Sequence, residues 1–179
     1  MNSSFTDSDL STLQIRRAEP QDDDTVGELL VTAFVQGYAR KLPEVVVTES
    51  RKQQLRAVAQ KRAVATVLVA QVGGQVVGTV AIFPPNAAGT EAFVPGAADL
   101  RHLAVTPACK GTGIAAKLLD EAERIAHHEW QVPAICLHVR RGAAGVASLY
   151  QKRGYQRVPS GDIDRLPEVF LEGFVLPCR

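Results

Sequence analysis

The stretch that decides the fold is Leu103-Ala-Val-Thr-Pro-Ala-Cys-Lys-Gly-Thr-Gly-Ile-Ala115, which is followed at once by a long helical pattern. An apolar strand ends before Pro107, the chain turns through Gly111 and Gly113, and a helix begins. The first amide groups of a helix lack partners inside it and carry the positive end of its dipole, so they attract anions. The glycines let a phosphate approach the main chain, and Lys110 adds a positive charge at the rim. The segment therefore predicts a phosphate-binding turn.

Two better-known phosphate-binding motifs fit this turn poorly. A Walker A loop requires Gly-Lys-Ser/Thr after its spacer, and that triplet is not found here. The dinucleotide fingerprint is matched in part, since Ala116 follows Gly113 at the required distance. The next strand, however, ends at His138-Val139-Arg140 without the acidic residue that would bind a ribose. A domain that binds the phosphates of another ligand stays open as an alternative.

Hydrophobic periodicity along the rest of the chain predicts a mixed sheet with helices on both faces. The predicted order is a strand, two helices, three strands, a helix, a strand, a helix and two strands. The clearest hairpin is Ala65 to Phe83, which turns at Gly73-Gly74. The strand that ends at Val105 and the strand Ala134 to Val139 are joined by the long helix, so we expect them to be parallel. The fold class is α/β (α+β), with a mostly antiparallel sheet of about seven strands.

The helical patterns have the following predicted bounds. The first helix ends near Gln36, and the second spans Glu49 to Lys61 with Leu55, Val58 and Ala59 facing inward. The other two span about Thr112 to Trp130 and Gly142 to Arg153, and a polar turn is expected at Ser160 to Asp164.

Composition limits the class of protein. The chain has 179 residues, which suits one domain, and its formal net charge is +1. So small a charge gives no reason to expect nucleic-acid binding. No apolar run reaches the ~20 residues that span a bilayer. The polar segment 1–11 is interpreted as a flexible tail, not a signal peptide, ahead of a domain at 12–179. We expect a cytoplasmic protein with no nucleic-acid or membrane partner.

The cysteines and histidines give no sign of a disulfide framework or a metal site. Three cysteines, Cys109, Cys136 and Cys178, are too few and odd in number for such a framework, which fits a reducing compartment. The cluster His127-His128-Glu129 lies on a predicted helix, where adjacent side chains point in different directions. No metal is therefore expected.

A second element follows the turn by about thirty-five residues and reads Ser148-Leu-Tyr-Gln-Lys-Arg-Gly-Tyr155. Together with the turn, it resembles the GCN5-related N-acetyltransferase (GNAT) family. Lys110-Gly-Thr-Gly-Ile-Ala115 is similar to the family's acetyl-CoA signature, Arg/Gln-x-x-Gly-x-Gly/Ala. Leu149-Tyr150-Gln-Lys-Arg-Gly-Tyr155 is similar to its Leu-Tyr-x-Lys-x-Gly-Phe element. The order of secondary structure matches as well, so the resemblance covers about Leu13 to Pro177.

The resemblance implies an enzyme of the EC 2.3.1 type, which moves an acetyl or other acyl group from acyl-CoA to an amine by direct attack in a ternary complex. Acetyl-CoA is the expected acyl donor. The family's sheet splays beside a bulged strand, and this strand pairs with the pantetheine arm; the matching residues are Leu103, Ala104 and Val105. The CoA pyrophosphate is assigned to the main-chain N–H groups of Lys110, Gly111, Thr112, Gly113, Ile114 and Ala115.

The resemblance also implies catalytic roles. Tyr150 matches the family's tyrosine near the thioester sulfur, and its phenol, with a pKa of about 10, would protonate the departing thiolate. An amine acceptor must lose a proton, and the family often uses a carboxylate on the strand before the turn. Asp99 and His102 are both candidates for this base, and the choice between them is open. His138 is a weaker candidate and fits better as a hydrogen-bonded residue on a buried strand.

The sequence departs from the family pattern at two positions. Lys110 stands in place of Arg or Gln, and Ala143 stands where the family often has an Asn that helps to fix the cofactor arm. A CoA-binding sensor or scaffold without turnover is therefore a second alternative. The acceptor, a small-molecule or peptide amine, has no recognisable signature. The family often forms homodimers, for which the last strands are the candidate contact.

Overall fold

A computed structural model describes residues 5–143 and 145–178 of the chain. In these residues a sheet of eight strands is accompanied by six α-helices. The strands are β1 Gln14–Arg17, β2 Thr66–Val72, β3 Gln75–Phe83, β4 Ala98–Val105, β5 Ala134–Arg140, β6 Gln156–Arg157, β7 Ile163–Arg165 and β8 Val169–Pro177. The helices are α1 Asp7–Leu10, α2 Asp23–Lys41, α3 Glu49–Arg56, α4 Val58–Val64, α5 Ile114–Arg124 and α6 Val146–Gln151.

The sheet has the order β1-β2-β3-β4-β5-β8-β6, and β7 pairs with β8. Every pair is antiparallel except β4 with β5, so the predicted mixed, mostly antiparallel sheet is confirmed. The additional strand is β7, in a stretch whose first part was expected to be a polar turn. Its residues Ile163 and Arg165 pair with Leu171 and Val169, because the chain doubles back as a hairpin there.

The β2–β3 hairpin forms as the sequence predicts. Gly73 and Gly74 have φ angles of +54° and +81°. A two-residue turn that matches the twist of its strands needs positive φ at both positions, which glycine adopts without steric cost.

Several helix bounds differ from the prediction. The first helix continues to Lys41, five residues beyond its expected end. The predicted second helix is two helices, because Ala57 leaves helical geometry with φ −74° and ψ +53°. This break changes which side chains face inward: Ala59 is exposed and Lys61 is buried. The long helix begins at Ile114 and becomes π-helical over Ile125–Glu129, and the last helix is limited to Val146–Gln151.

The hydrophobic core lies in two layers, one on each face of the sheet. Along β2, Leu68 and Ala70 pack in the layer that contains α5, whereas Val67 and Val69 pack in the layer that contains α2. This alternation follows from the two-residue period of a strand. We call the two faces the α5 side and the α2 side.

The N-terminal segment that was expected to be a flexible tail includes α1. Phe5 and Leu10 pack against the core on the α5 side. Residues 1–4 lie outside the described part of the chain. Within the described residues, no helix combines the length and the apolar character that a membrane span requires.

Candidate active site

The parallel pair β4–β5 opens into a gap. The two strands pair only at Ala98 with Ile135 and at Asp99 with Cys136. Beyond this point β4 stays paired to β3 as far as Val105, and β5 stays paired to β8 as far as Arg140. Each strand is thus held by its other neighbour, and the facing edges of β4 and β5 are left unpaired. This geometry agrees with the splayed sheet that the family resemblance implies.

A β-bulge lies in β4 at the mouth of this gap. On β3, Thr79 and Ala81 are two residues apart, whereas their partners Ala104 and Arg101 are three apart, so β4 contains one extra residue. His102 has a φ of +57°, a left-handed conformation that is uncommon for residues other than glycine. The expected bulge is therefore present, and it is centred just before Leu103.

The bulge changes which way the side chains of β4 face. Leu100 and Leu103 both pack on the α5 side, although they are three residues apart. The two residues between them both face the α2 side, where Arg101 lies over the ring of Phe83 and His102 meets the ring of Phe34 edge-on. A regular strand would place one of these two side chains on each face. The bulge thus brings a cation and an imidazole to one wall of the site.

The turn after β4 leaves several main-chain amides unpaired. Gly111 and Gly113 have φ angles of +77° and +83°, and a Cβ added at either would meet no heavy atom within 4 Å. The N–H groups of Gly111, Thr112 and Gly113 make no hydrogen bond within the described residues. The first N–H groups of α5 are free of helical partners as well. The turn is therefore an open cradle of donors at a helix N-terminus.

Positive side chains surround this cradle. Lys110 is exposed, and its pKa is lowered by partial burial and then by the charges of Arg40 and Lys41 at the end of α2. The sequence analysis missed Arg40 and Lys41, because the helix was expected to end before them. The next residue, Leu42, lies against the loop after β5, where its Cδ2 is 3.1 Å from the position of a Cβ built on Gly142. The end of α2 therefore reaches across the gap between β4 and β5.

Tyr150 of α6 is buried on the α5 side, in the same cluster as Val139 of β5, and Leu103 of β4 packs against that cluster. Its ring meets that of Tyr155 edge-on, with 5.5 Å between the centroids. Burial raises the pKa of the Tyr150 phenol above its ordinary value of 10. Its hydroxyl makes no hydrogen bond within the described residues, whereas the hydroxyl of Tyr155 donates to Glu123 over 3.3 Å.

Asp99 is fully buried, and one of its two carboxylate oxygens is engaged, whereas Oδ1 has no hydrogen-bond partner in the described residues. Its Oδ2 accepts hydrogen bonds from Arg101 Nε and from the main-chain N–H of Glu91, both at 2.8 Å. The guanidinium of Arg101 also forms an ion pair with it. A substrate amine could reach this carboxylate only if the residues around it moved, because Asp99 has no exposed surface. The geometry instead suits Asp99 to hold Arg101 in place.

His102 is half-buried, and its Nδ1 is a buried atom without a hydrogen-bond partner in the described residues. Its pKa lies well below 6.5, first because of burial and then because of the charges of Lys61, Arg51 and Arg101. The imidazole is therefore neutral at physiological pH. Each of the two residues considered as a base has one buried acceptor atom without a partner in the described residues, Nδ1 of His102 and Oδ1 of Asp99. His102 is half-buried whereas Asp99 is fully buried, so a substrate reaches His102 more easily.

The other reactive side chains have structural surroundings. Cys109 and Cys136 are buried in the core and Cys178 is half-buried, all as free thiols. His138 Nε2 is 2.8 Å from the carbonyl oxygen of Gly161, in keeping with a hydrogen-bonded residue. Within the described part of the chain, His, Cys, Asp and Glu form no group of three that could hold a metal ion.

Comparison with known proteins decides the family. A family model for the acetyltransferase (GNAT) domain matches residues 63–157, just over half of the chain. The chain belongs to the GNAT family. The match includes the bulged β4, the turn and Tyr150, so the GNAT resemblance seen in the sequence is confirmed. No curated protein sequence matches the chain.

Solved structures share the GNAT fold. A GNAT-family acetyltransferase from Staphylococcus aureus is 13% identical, with a TM-score of 0.70 over 93% of this chain and 99% of that chain. PaiA N-acetyltransferase from Thermoplasma acidophilum in complex with coenzyme A is 18% identical, with a TM-score of 0.66 over 90% and 97%. A GNAT-family acetyltransferase from Brucella melitensis in complex with acetyl-CoA is 26% identical, with a TM-score of 0.58 over 80% and 82%.

Proposed function

We propose that this GNAT protein transfers an acetyl group from acetyl-CoA to an amine by direct attack of the amine on the thioester. The observation that carries the proposal is the combination of an open β4–β5 gap with a turn whose N–H groups at Gly111, Thr112 and Gly113 lack partners. A thioester arm and a pyrophosphate need these two features side by side. The GNAT structures from Brucella melitensis and Thermoplasma acidophilum that hold acetyl-CoA and coenzyme A lend support.

The residues at the turn fit the phosphates of acetyl-CoA. Main-chain N–H groups at a helix N-terminus bind phosphate oxygens without any charged side chain. Lys110, Arg40 and Lys41 add positive charge around the same turn. The unpaired edge of β4 from Leu103 to Val105 offers main-chain groups to the amides of the pantetheine arm, in the manner of an added strand. Ala143 provides no side-chain amide to this arm, so main-chain contacts carry more of its binding.

In the proposed reaction the amine nitrogen bonds to the thioester carbonyl carbon and the bond from carbon to sulfur breaks. Negative charge that develops on the carbonyl oxygen would be stabilised by a main-chain N–H of the bulged strand. The amine gives up a proton and the CoA sulfur leaves as a thiolate. The products are an N-acetylated acceptor and CoA, and the thiolate must gain a proton.

We assign the proton donor to Tyr150 and the proton acceptor to His102. Burial keeps the phenol of Tyr150 protonated, and a thiolate in the same apolar surroundings would also have a raised pKa, which favours the transfer. His102 is neutral and its Nδ1 is free. An imidazole with a low pKa accepts the proton only after formation of the carbon–nitrogen bond has made the amine nitrogen acidic. Asp99 is given no part in proton transfer, since it has no exposed surface and holds Arg101 in place.

Thermal unfolding in the presence of acetyl-CoA, CoA, ATP and NAD tests the cofactor site. A ligand at one hundred times its Kd stabilises the folded state by about 2.7 kcal/mol, which raises the Tm measurably. We expect acetyl-CoA and CoA to raise the Tm and the Gly113→Glu variant to lose this response. Gly74→Glu is the matched control, because Gly74 has nearly the same φ and the same open surroundings but lies in the β2–β3 turn.

The same samples, supplied with amines, report turnover as release of the CoA thiol. If acetyl-CoA binds but no amine in the panel leads to release of CoA, the result would support a CoA-binding sensor or scaffold. Greater stabilisation by ATP or NAD than by CoA would contradict the assignment and support a domain for another phosphate ligand.

A further inference from the structure

The α2 side of the β4 bulge holds more positive charge than its neighbours neutralise. Arg101 forms ion pairs with Asp99 and Glu91. Arg51 and Lys61 also lie in this region, and neither has a carboxylate partner within residues 5–143 and 145–178. Among the described residues the guanidinium of Arg51 donates only to the neutral side chain of Gln54, over 3.3 Å.

Lys61 is the most unusual of these groups. Lys61 is only 9% exposed, and its Nζ is a buried atom with no hydrogen-bond partner among the described residues. Burial, and then the charges of Arg51 and Arg101, lower the pKa of Lys61 to about 8. Most proteins pair a buried ammonium with a counter-ion, since leaving it unpaired is costly. A missing anion is the simplest complement to this group.

Arg51, one of the two unpaired cations, lies close to His102, the assigned base. The guanidinium of Arg51 lies 5.5 Å from the centroid of the Phe34 ring, and the same ring meets His102 edge-on at 6.1 Å. Tyr38 completes this wall, 5.8 Å from Phe34. Arg101 is adjacent to His102 in the bulge and faces the same side. An amine placed at His102 for attack would therefore have two cations without partners close to the rest of its molecule.

The phosphates of acetyl-CoA do not account for these charges. The cradle for the pyrophosphate has its own cations at Lys110, Arg40 and Lys41. The cradle follows the far end of β4. From Arg101 to Val105 the strand advances by roughly 10 Å, because the bulge takes up one of the four residue steps. The acceptor is the other substrate of the proposed reaction and can supply an anion for Arg51 and Lys61.

We propose that Arg51, Lys61, Phe34 and Tyr38 form a pocket for an acidic group of the acceptor, so that the substrate is an amine that also carries a carboxylate or a phosphate, with amino acids as the leading class. The inference rests on the proposed acetyl transfer. A guanidinium donates two parallel hydrogen bonds to a carboxylate or phosphate, and a lysine ammonium adds a point charge. The aromatic rings would contact the apolar part of the acceptor.

Initial rates with matched amines test the proposal. Amino acids are compared with their amides, for example glycine with glycinamide and phenylalanine with phenylalaninamide, and phosphoethanolamine is compared with ethanolamine. We expect the acid of each favoured pair to have a kcat/KM at least tenfold higher. The amide has the less basic amine and thus more of the reactive neutral form, so protonation alone would give the opposite preference. The pairs also show whether carboxylate or phosphate is preferred.

Two variants connect this preference to the pocket. Lys61→Met keeps the length of the side chain and removes the charge, so we expect KM for the acidic acceptor to rise roughly tenfold or more. KM for acetyl-CoA should stay the same, and the Tm should not fall, because an unpaired buried charge is removed. Arg51→Met should likewise raise KM for the acidic acceptor. Lys52→Met is the control, since Lys52 is already paired with Glu49 at 2.7 Å.

The outcomes separate the two proposals. Equal rates for acids and amides, or a preference that persists in Lys61→Met and Arg51→Met, would overturn the acidic pocket while acetyl transfer stands. A panel in which only neutral amines or peptides react would overturn it in the same way. Failure of acetyl transfer looks different, because no amine then releases CoA and acetyl-CoA does not raise the Tm.

Discussion

Tyr150 and Tyr155 are neighbours with touching rings, yet only the first has a free hydroxyl. The Tyr155 hydroxyl is bound to Glu123, which is also the partner of Arg153. Removal of each hydroxyl by the same substitution therefore separates a chemical role from a packing role at almost the same place in the core.

We expect Tyr150→Phe to lower kcat by roughly a hundredfold or more, because it removes the proton donor for the CoA thiolate. Its free energy of unfolding should change by less than about 1 kcal/mol, since no hydrogen bond is lost. Tyr155→Phe should lose about 1 kcal/mol of stability and retain kcat. Stopped assays of acetyl transfer and urea unfolding measure both. Equal kcat in the two variants would remove Tyr150 from the mechanism.

The sequence was informative about Tyr150 and silent about Lys61. Tyr150 stands in a motif with a fixed spacing to the glycine turn, so a family resemblance locates it. Lys61 has the spacing of an ordinary residue on a helix surface. It is buried because the helix breaks at Ala57 and restarts with a new orientation. No local pattern in the sequence indicates that different side chains face inward after Ala57, since this depends on how the two short helices pack.

At the scale of elements, the bulge in β4 is the feature that assembles the site. A signal for it does exist in the sequence: two consecutive polar residues, Arg101 and His102, separate the apolar positions Leu100 and Leu103. In a strictly alternating strand, one of these two polar side chains would face the apolar layer on the α5 side. The extra residue of the bulge allows both to face the α2 side. The gap beside the bulge followed from the family resemblance, whereas the orientation of the two side chains required the structure.

Replacement of His102 by glycine tests the bulge and the base together. Glycine adopts the left-handed conformation freely, which recovers about 1 kcal/mol of strain and offsets lost side-chain contacts. We expect His102→Gly to stay within about 1 kcal/mol of the wild-type stability and to lose at least tenfold in kcat/KM. Gln131→Gly is the control, because Gln131 also has a positive φ, +51°, but lies away from the gap. A strongly destabilised yet active His102→Gly protein would point to packing as the role of the imidazole.

At the scale of the whole molecule, the parallel pair and seven of the eight strands along the chain were predicted correctly, whereas β7 was missed. Strand patterns with clear turns, such as Gly73-Gly74, account for this success. The ends of helices were less predictable, because α2 continues past its last strongly apolar residue and ends where Leu42 contacts the loop after β5. The sequence does contain a stop signal at this point, since Pro43 follows Leu42 and Arg40 and Lys41 stand in the last turn. The apolar periodicity alone ended too early to reach it.

The stability of the whole molecule should depend on pH through Lys61. The folded protein releases this proton at about pH 8, whereas the unfolded chain does so at the ordinary lysine pKa of 10.5. Between these two pH values the unfolded state binds more protons than the folded state, so Lys61 makes the free energy of unfolding rise with pH. Below pH 8 the cost of burying the charged ammonium is fully present. Lys61→Met lacks this titrating group. The difference in free energy of unfolding between wild type and Lys61→Met should therefore shrink by an amount on the order of 3 kcal/mol from pH 7.5 to 10.5.

Urea unfolding of both proteins across this range measures that difference, and the other titrating groups are common to both and cancel. Buried thiols and phenols with raised pKa values, such as Cys136 and Tyr155, make each single curve fall at high pH, so only the difference is informative. A difference that stays constant with pH would mean that Lys61 is not buried without a partner.

The donors at the turn from Gly111 to Gly113, which we propose bind the cofactor, belong to the peptide backbone, whereas the proposed acceptor pocket consists of side chains. A backbone donor is inherited with the fold and survives almost any replacement that keeps the turn, so cofactor recognition is tolerant of sequence drift. The acceptor pocket changes with single substitutions that leave the turn untouched. The same fold can thus keep its acyl donor while its amine acceptor changes, because main-chain groups bind the donor and side chains select the acceptor.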